Sequence, residues 1–129
     1  MTDVPAAAPV RRILLVDDNT DSAESLGELL ALSGHEVRTA ADGLSALRAF
    51  DDFQPDVVLC DLGLPGMNGY EVGRTLRQRP RGAQLFLAAL TGYGDESDRR
   101  RTAEAGFDRH LVKPVDPFEL ERLIAEFEP

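Results

Sequence analysis

A single cysteine, Cys60, stands in the whole chain, which excludes an internal disulfide and fits a reducing compartment. Apolar runs last only a few residues, too short for a membrane-spanning helix. Met1 to Pro9 offers neither a basic start nor a long apolar segment, so no export signal is read there and cytoplasm is the expected location. Basic residues are scarce as well. Fourteen of them face 23 acidic ones for a net charge of −9, and a surface that acidic repels phosphate backbones. Neither a direct nucleic-acid partner nor membrane insertion is expected. The two histidines, His35 and His110, have no second His or Cys at ligand spacing, which argues against a zinc-type site. There is no Walker loop, no dinucleotide fingerprint and no solenoid-length repeat.

What is present suffices for one ordinary hydrophobic core: 129 residues, 43% hydrophobic and 29% charged. Residues 1–10, rich in Pro and Ala, read as a flexible lead-in, and residues 11–129 as the folded domain. Two segments, Ile13-Leu14-Leu15-Val16 and Val57-Val58-Leu59-Cys60, are continuous apolar runs of the kind buried on both faces of a sheet. Leu85 to Leu90 is a third such run, His110-Leu111-Val112 a shorter one, and Val37 to Ala40 reads as an edge strand.

Helices are expected between these strands. The first is capped at Asn19 or Thr20, with Ala23, Leu26, Leu29 and Leu30 as its core face, and is stopped by Gly34. The second follows Asp42-Gly43 with Ala46, Ala49, Phe50 and Phe53 inward, and the third starts near Gly69 and buries Val72 and Leu76. The segment Asp95 to Ala105 is helical by its i, i+4 pairs, Asp95 with Arg99 and Glu96 with Arg100. Only Ala103, Ala105 and Phe107 offer it obvious burial, so it is the loosest helix. The last carries Asp116 as its cap and Pro117 at its first position. Five β-α alternations predict an α/β, flavodoxin-like (βα)5 three-layer sandwich whose parallel five-stranded sheet has the order 2-1-3-4-5.

In a parallel sheet the strand ends share one edge, which gathers the chemistry. Asp17 and Asp18 end the first strand, Asp61 the third, Thr91 the fourth and Lys113 the fifth. Converging carboxylates repel one another unless a cation offsets them, and an open oxygen site favours Mg²⁺. A lysine and a hydroxyl facing that metal suit the oxygens of a phosphoryl group, and Asp61 could then attack phosphorus as a nucleophile.

The set Asp17-Asp18, Asp61, Thr91-Gly92 and Lys113-Pro114 resembles the receiver domain of two-component response regulators, with Pro65 and Gly69 standing four and eight residues after Asp61 as in that family. The resemblance covers Arg12 to Glu128. It implies that Asp61 is the phosphoacceptor and that Asp18, Asp61 and the backbone carbonyl of Gly63 hold Mg²⁺, with Asp17 reaching the metal largely through water. It implies that Thr91 and Lys113 bind the phosphoryl oxygens, that Thr91 moves as the switch, and that the bond before Pro114 is cis. Gly63 and Tyr93 take positions that tune hydrolysis of the acyl phosphate, and a rate sensitive to Tyr93→Ala is expected.

One departure is His110, where many receivers carry Tyr or Phe three residues before the Lys. It is the candidate for coupling the phosphate to the face around the fourth helix, and an imidazole there makes pH a variable. The implied partners are a sensor histidine kinase or histidine phosphotransfer protein upstream and a protein target downstream. The chain ends with its fifth helix, so a standalone regulator or the receiver segment of a hybrid kinase is expected. No external substrate is expected to be turned over.

Two rival readings stand beside this. A Mg²⁺-dependent phosphatase also uses an Asp nucleophile, but it would want an Asp two residues after Asp61, where Gly63 stands. A silent receiver-like module would bind partners without metal or phosphate. Taken singly, His35 reads as a turn residue, Cys60 as a buried apolar one, and Arg99-Arg100-Arg101 as a solvated face that could also dock a partner.

Overall fold

The computed structural model describes residues 10–92 and 96–127, the side chains of 96–98 excepted. Strands β1 (Arg12–Val16), β2 (Glu36–Ala40), β3 (Val57–Asp61), β4 (Phe86–Thr91) and β5 (Arg109–Val112) alternate with helices. These are α1 (Thr20–Leu32), α2 (Gly43–Phe53), α3 (Gly69–Arg77), α4 (Glu96–Glu104) and α5 (Pro117–Glu126). All strand pairs are parallel and the order is β2-β1-β3-β4-β5, as the alternation predicts.

The apolar runs split by parity, because successive strand side chains point to opposite faces. Leu14, Val16, Val58, Cys60, Leu87 and Ala89 pack with Ala46 and Phe50 of α2 and Val72 and Leu76 of α3. Ile13, Leu15, Val57, Leu59, Ala88 and Leu90 pack with Ala23 and Leu30 of α1 and Leu120, Leu123 and Ile124 of α5. Strands covered on both sides have no polar positions to spare until they reach the sheet edge. Among the described residues no helix is long and apolar enough to cross a membrane.

Local signals act where they were read. Asn19, Asp42 and Asp116 cap α1, α2 and α5 through side-chain oxygens that accept from Ser22, Ser45 and Phe118 N–H groups. Past the end of α1, Gly34 adopts φ +97° while the N–H of His35 bonds back to the Leu30 carbonyl.

Three expectations need correction. Leu29 is 45% exposed; the buried stripe of α1 runs Ala23, Gly27, Leu30 at i, i+4, i+7, and Leu29 lies off it. Ala103 is exposed, and its neighbour Thr102 is the buried residue among the described side chains of α4. His35 stands just past the turn of residues 33–34 rather than in it: it is buried, its Nδ1 accepts the backbone N–H of Arg11 at 3.0 Å, and its Nε2 lies 3.0 Å from Glu121 Oε2. It ties the entry of β1 to α5. The lead-in before residue 10, Asp95 and its pair with Arg99, the side chain of Glu96, and Tyr93 lie outside the described residues.

Candidate functional site

Four strands deliver polar side chains to one edge of the sheet. Asp17 follows β1 directly, and its backbone N–H extends the ladder to the Ala40 carbonyl at 3.0 Å. Its side chain turns inward and is 4% exposed, with Oδ1 accepting the Asn19 N–H at 2.9 Å, while Asp18 faces solvent. Asp61 ends β3. Its Oδ1 accepts the Gly63 N–H at 2.9 Å and its Oδ2 accepts from Lys113 Nζ at 2.8 Å.

Lys113 follows β5, held to β4 by its own N–H on the Thr91 carbonyl at 2.7 Å, and the Lys113–Pro114 bond is cis. Its ammonium also lies 3.4 Å from Asp17 Oδ2. Thr91, buried at the last position of β4, sits one step past Leu90, the register partner of Asp61.

The loop after Asp61 is fixed by a close backbone approach. Gly69 N–H bonds the Leu62 carbonyl, and a Cβ at Gly69 would lie 2.5 Å from the Asp61 carbonyl oxygen. Only glycine fits there, so the loop folds back on the strand that carries Asp61.

Carboxylate oxygens of Asp17, Asp18 and Asp61 all lie within 4.8 Å of one another. The electrostatics follow from this crowding. Burial pushes the Asp17 carboxyl above the usual range, with the Asn19 N–H and Lys113 opposing and Asp61 adding to it. Burial would do the same to Asp61, but the Lys113 hydrogen bond and the Gly63 N–H outweigh it and hold Asp61 below the usual range. Burial would lower Lys113, yet the two carboxylates win and raise it. Three carboxylates against one ammonium leave two negative charges among these groups. A hard divalent cation with oxygen ligands and retained waters matches both the charge and the donor set.

The structure thus brings Asp17, Asp18, Asp61, Gly63, Thr91, Lys113 and Pro114 to one mouth. His110 stands apart from the carboxylates. It lies on β5 opposite Ala89, on the sheet face covered by α3 and α4, and its Nδ1 is 3.0 Å from Thr102 Oγ1. Sequence reasoning missed Thr102, although its place three residues before the buried Ala105 was a usable helical signal.

Residues 13–125 match the family model of the response regulator receiver domain. The chain is 39% identical over 114 residues to a probable transcriptional regulator, ycf27, of Cyanophora paradoxa, covering 88% of this chain and 46% of that one. It therefore spans about half the length of such regulators. Chemotaxis response regulator CheY4 of Vibrio cholerae superposes with a TM-score of 0.86 at 27% identity, covering 93% of this chain and all of that one. The receiver domain of sensor histidine kinase PA1611 from Pseudomonas aeruginosa PAO1, solved with a magnesium ion coordinated in its active-site cleft, does so at 0.83 and 31% identity over 92% and 98% of the two chains.

Proposed function

Because the chain belongs to the response regulator receiver domain family, we propose that Asp61 is its phosphoacceptor and that the mouth around it carries out the transfer. The observation that carries this reading is the ammonium of Lys113 set between Asp61 and the buried Asp17, beside Asp18. The donor is a phosphohistidine of a sensor kinase or phosphotransfer protein. An oxygen of Asp61 bonds to phosphorus as the bond from the imidazole nitrogen breaks. The imidazole leaves and takes up a proton, and Asp61 becomes an acyl phosphate.

Each neighbour has a part. Lys113 turns from the carboxylates to the new phosphoryl oxygens, and the Thr91 hydroxyl moves in to donate to another. The Gly63 N–H steadies one oxygen of Asp61 during attack. Asp18, Asp61 and the Gly63 carbonyl, with Asp17 through water, would hold Mg²⁺, and the ion would neutralise carboxylate and phosphoryl charge. Gly63 brings no side chain to orient water, and the lifetime of the phosphate depends on the residue types at Gly63 and Tyr93. His110 reads the position of Thr91 from the next strand and passes it to α4.

The protein modifies itself and turns over no external substrate. The folded domain is residues 11–129, preceded by a lead-in of residues 1–10, and it works in the cytoplasm by binding a downstream protein.

Intact mass after incubation with Mg²⁺ and a small acyl-phosphate donor tests the assignment. Wild type gains one phosphoryl adduct and Asp61→Asn gains none. The same adduct on both, or on neither, overturns it. Sustained hydrolysis of a phosphomonoester would favour a phosphatase instead.

A further inference from the structure

Gly43 opens α2 without the positive φ of Gly34, Gly66 and Gly106. A glycine in a helix costs stability relative to alanine, so the backbone alone gives no reason for one here. Its surroundings do. A Cβ at Gly43 would lie 2.8 Å from Cβ of Met67 and 3.2 Å from the Met67 carbonyl oxygen, the first distance well inside ordinary carbon–carbon contact. The start of α2 and the loop after Asp61 therefore meet almost backbone to backbone, at a spot with no room for a side chain.

That loop carries Gly63, exposed between buried Leu62 and Leu64, whose N–H donates to Asp61 Oδ1 at 2.9 Å. Gly66, with φ +73° and open space around it, is a soft joint, so the loop has little stiffness of its own. Its place is set by what it rests on. Gly69 N–H bonds the Leu62 carbonyl at 3.2 Å, and a Cβ at Gly69 would lie 2.6 Å from Leu62 Cα. Met67, two residues before Gly69, is thereby linked to the backbone beside Gly63 with no slack. The turn before α2 reaches the mouth a second time, because the Ala40 carbonyl accepts the Asp17 N–H at 3.0 Å. This turn adds no carboxylate to the cluster, yet Asp17 and the loop beside Asp61 both rest on it.

We propose that Gly43 is a positioning residue for the phosphotransfer site. By seating Met67 it fixes where the loop presents the N–H and carbonyl of Gly63 beside Asp61, and so how well the mouth holds a divalent cation. This rests on Asp61 as phosphoacceptor, with Asp18, Asp61 and the Gly63 carbonyl as metal ligands, and adds a residue of another element that supports them from outside. A methyl group at Gly43 has to push Met67 away, and the tight seat of Gly69 carries that push to Leu62 and Gly63.

Three measurements on the full chain test it: calorimetric Mg²⁺ titration, urea unfolding without Mg²⁺, and the Gly63 amide resonance of the Mg²⁺-free chain. In Gly43→Ala the Gly63 resonance moves and Mg²⁺ affinity falls about tenfold, the lower end for loss of a group that supports metal ligands. The loss recurs on the Met67→Ala background, where the seated Cβ remains. It shrinks below about twofold on the Met67→Gly background, where that Cβ is gone. Wild-type affinity and resonance in Gly43→Ala overturn the proposal whatever the urea midpoint does, as does an equal loss on all three backgrounds. Met67→Gly against Met67→Ala decides without Gly43→Ala: the first binds Mg²⁺ more weakly, and equal affinities overturn the seat. Intact mass with Mg²⁺ and a small acyl-phosphate donor accompanies the set. A wild type that binds Mg²⁺ and gains its adduct while Gly43→Ala matches it overturns the positioning role alone, whereas a wild type that does neither overturns the reading of Asp61 with it.

Discussion

Lys113 Nζ lies 2.8 Å from Asp61 Oδ2, across 52 positions of chain. The contact is local in space because the ends of β3 and β5 share an edge. No other described cation is paired with this cluster. In Lys113→Ala, stability without divalent ions is expected to fall by about 1 kcal/mol, the value of a charged hydrogen bond discounted for partial solvent access. Added Mg²⁺ should then stabilise the variant more than the wild type, since it takes over the ammonium's task. Urea unfolding of both proteins with and without Mg²⁺ checks this, and an identical Mg²⁺ effect in the two would refute it.

Asp18 separates binding from folding. It is exposed, yet its carboxylate belongs to the cluster. Asp18→Ala is expected to weaken Mg²⁺ binding at least tenfold, by order of magnitude, while leaving the urea midpoint equal or higher through relieved repulsion. Calorimetric Mg²⁺ titration beside urea unfolding reads both. Undiminished Mg²⁺ affinity would remove Asp18 from the metal site.

Cys60 precedes Asp61 and is fully buried, and burial, with Asp61 and Asp17 adding to it, pushes its thiol far above the ordinary cysteine range. The thiolate is the reactive form, so alkylation requires opening of the core. Iodoacetamide labelling of Cys60 is expected to follow global unfolding across a urea series, with no labelling of the native chain. Fast labelling in native buffer would show that the β3 core opens locally.

The mouth was legible because each of its residues ends an apolar strand run, and parallel strands can end only on a common edge. Val57 to Cys60 followed by Asp61, and Leu111-Val112 followed by Lys113, need nothing from elsewhere in the chain to be read. His35 could not be read this way. Its burial depends on Arg11, 24 positions before it, and Glu121, 86 after it, and neither spacing belongs to any helix or strand period. Leu29 and Ala103 failed for another reason. Hydropathy favours both, but the buried stripe is set by rotation of the helix, which selected Gly27 and Thr102 instead.

Arg77 was equally invisible, an arginine in the last turn of α3 that reads as a surface charge. It is a hub. Nε donates to the Gly106 carbonyl at 2.6 Å, Nη1 to the carbonyls of Gly82 and Leu85 at 3.0 and 2.6 Å, and Nη2 to Asp108 Oδ2 at 2.7 Å. Asp108 in turn accepts the Leu87 N–H at 2.9 Å, so one guanidinium joins α3, the approach to β4 and the approach to β5. Removing it takes the guanidinium donor from the part-buried carbonyls of Gly106 and Leu85, and leaves that of Gly82 with the Leu85 N–H alone. Arg77→Ala is expected to lose about 3 kcal/mol, and Arg77→Lys to recover little of it, because one ammonium cannot span the fan that a planar guanidinium covers. Urea unfolding decides it: a loss below about 1 kcal/mol, the range of exposed ion pairs, would mean that water replaces the arginine at those carbonyls.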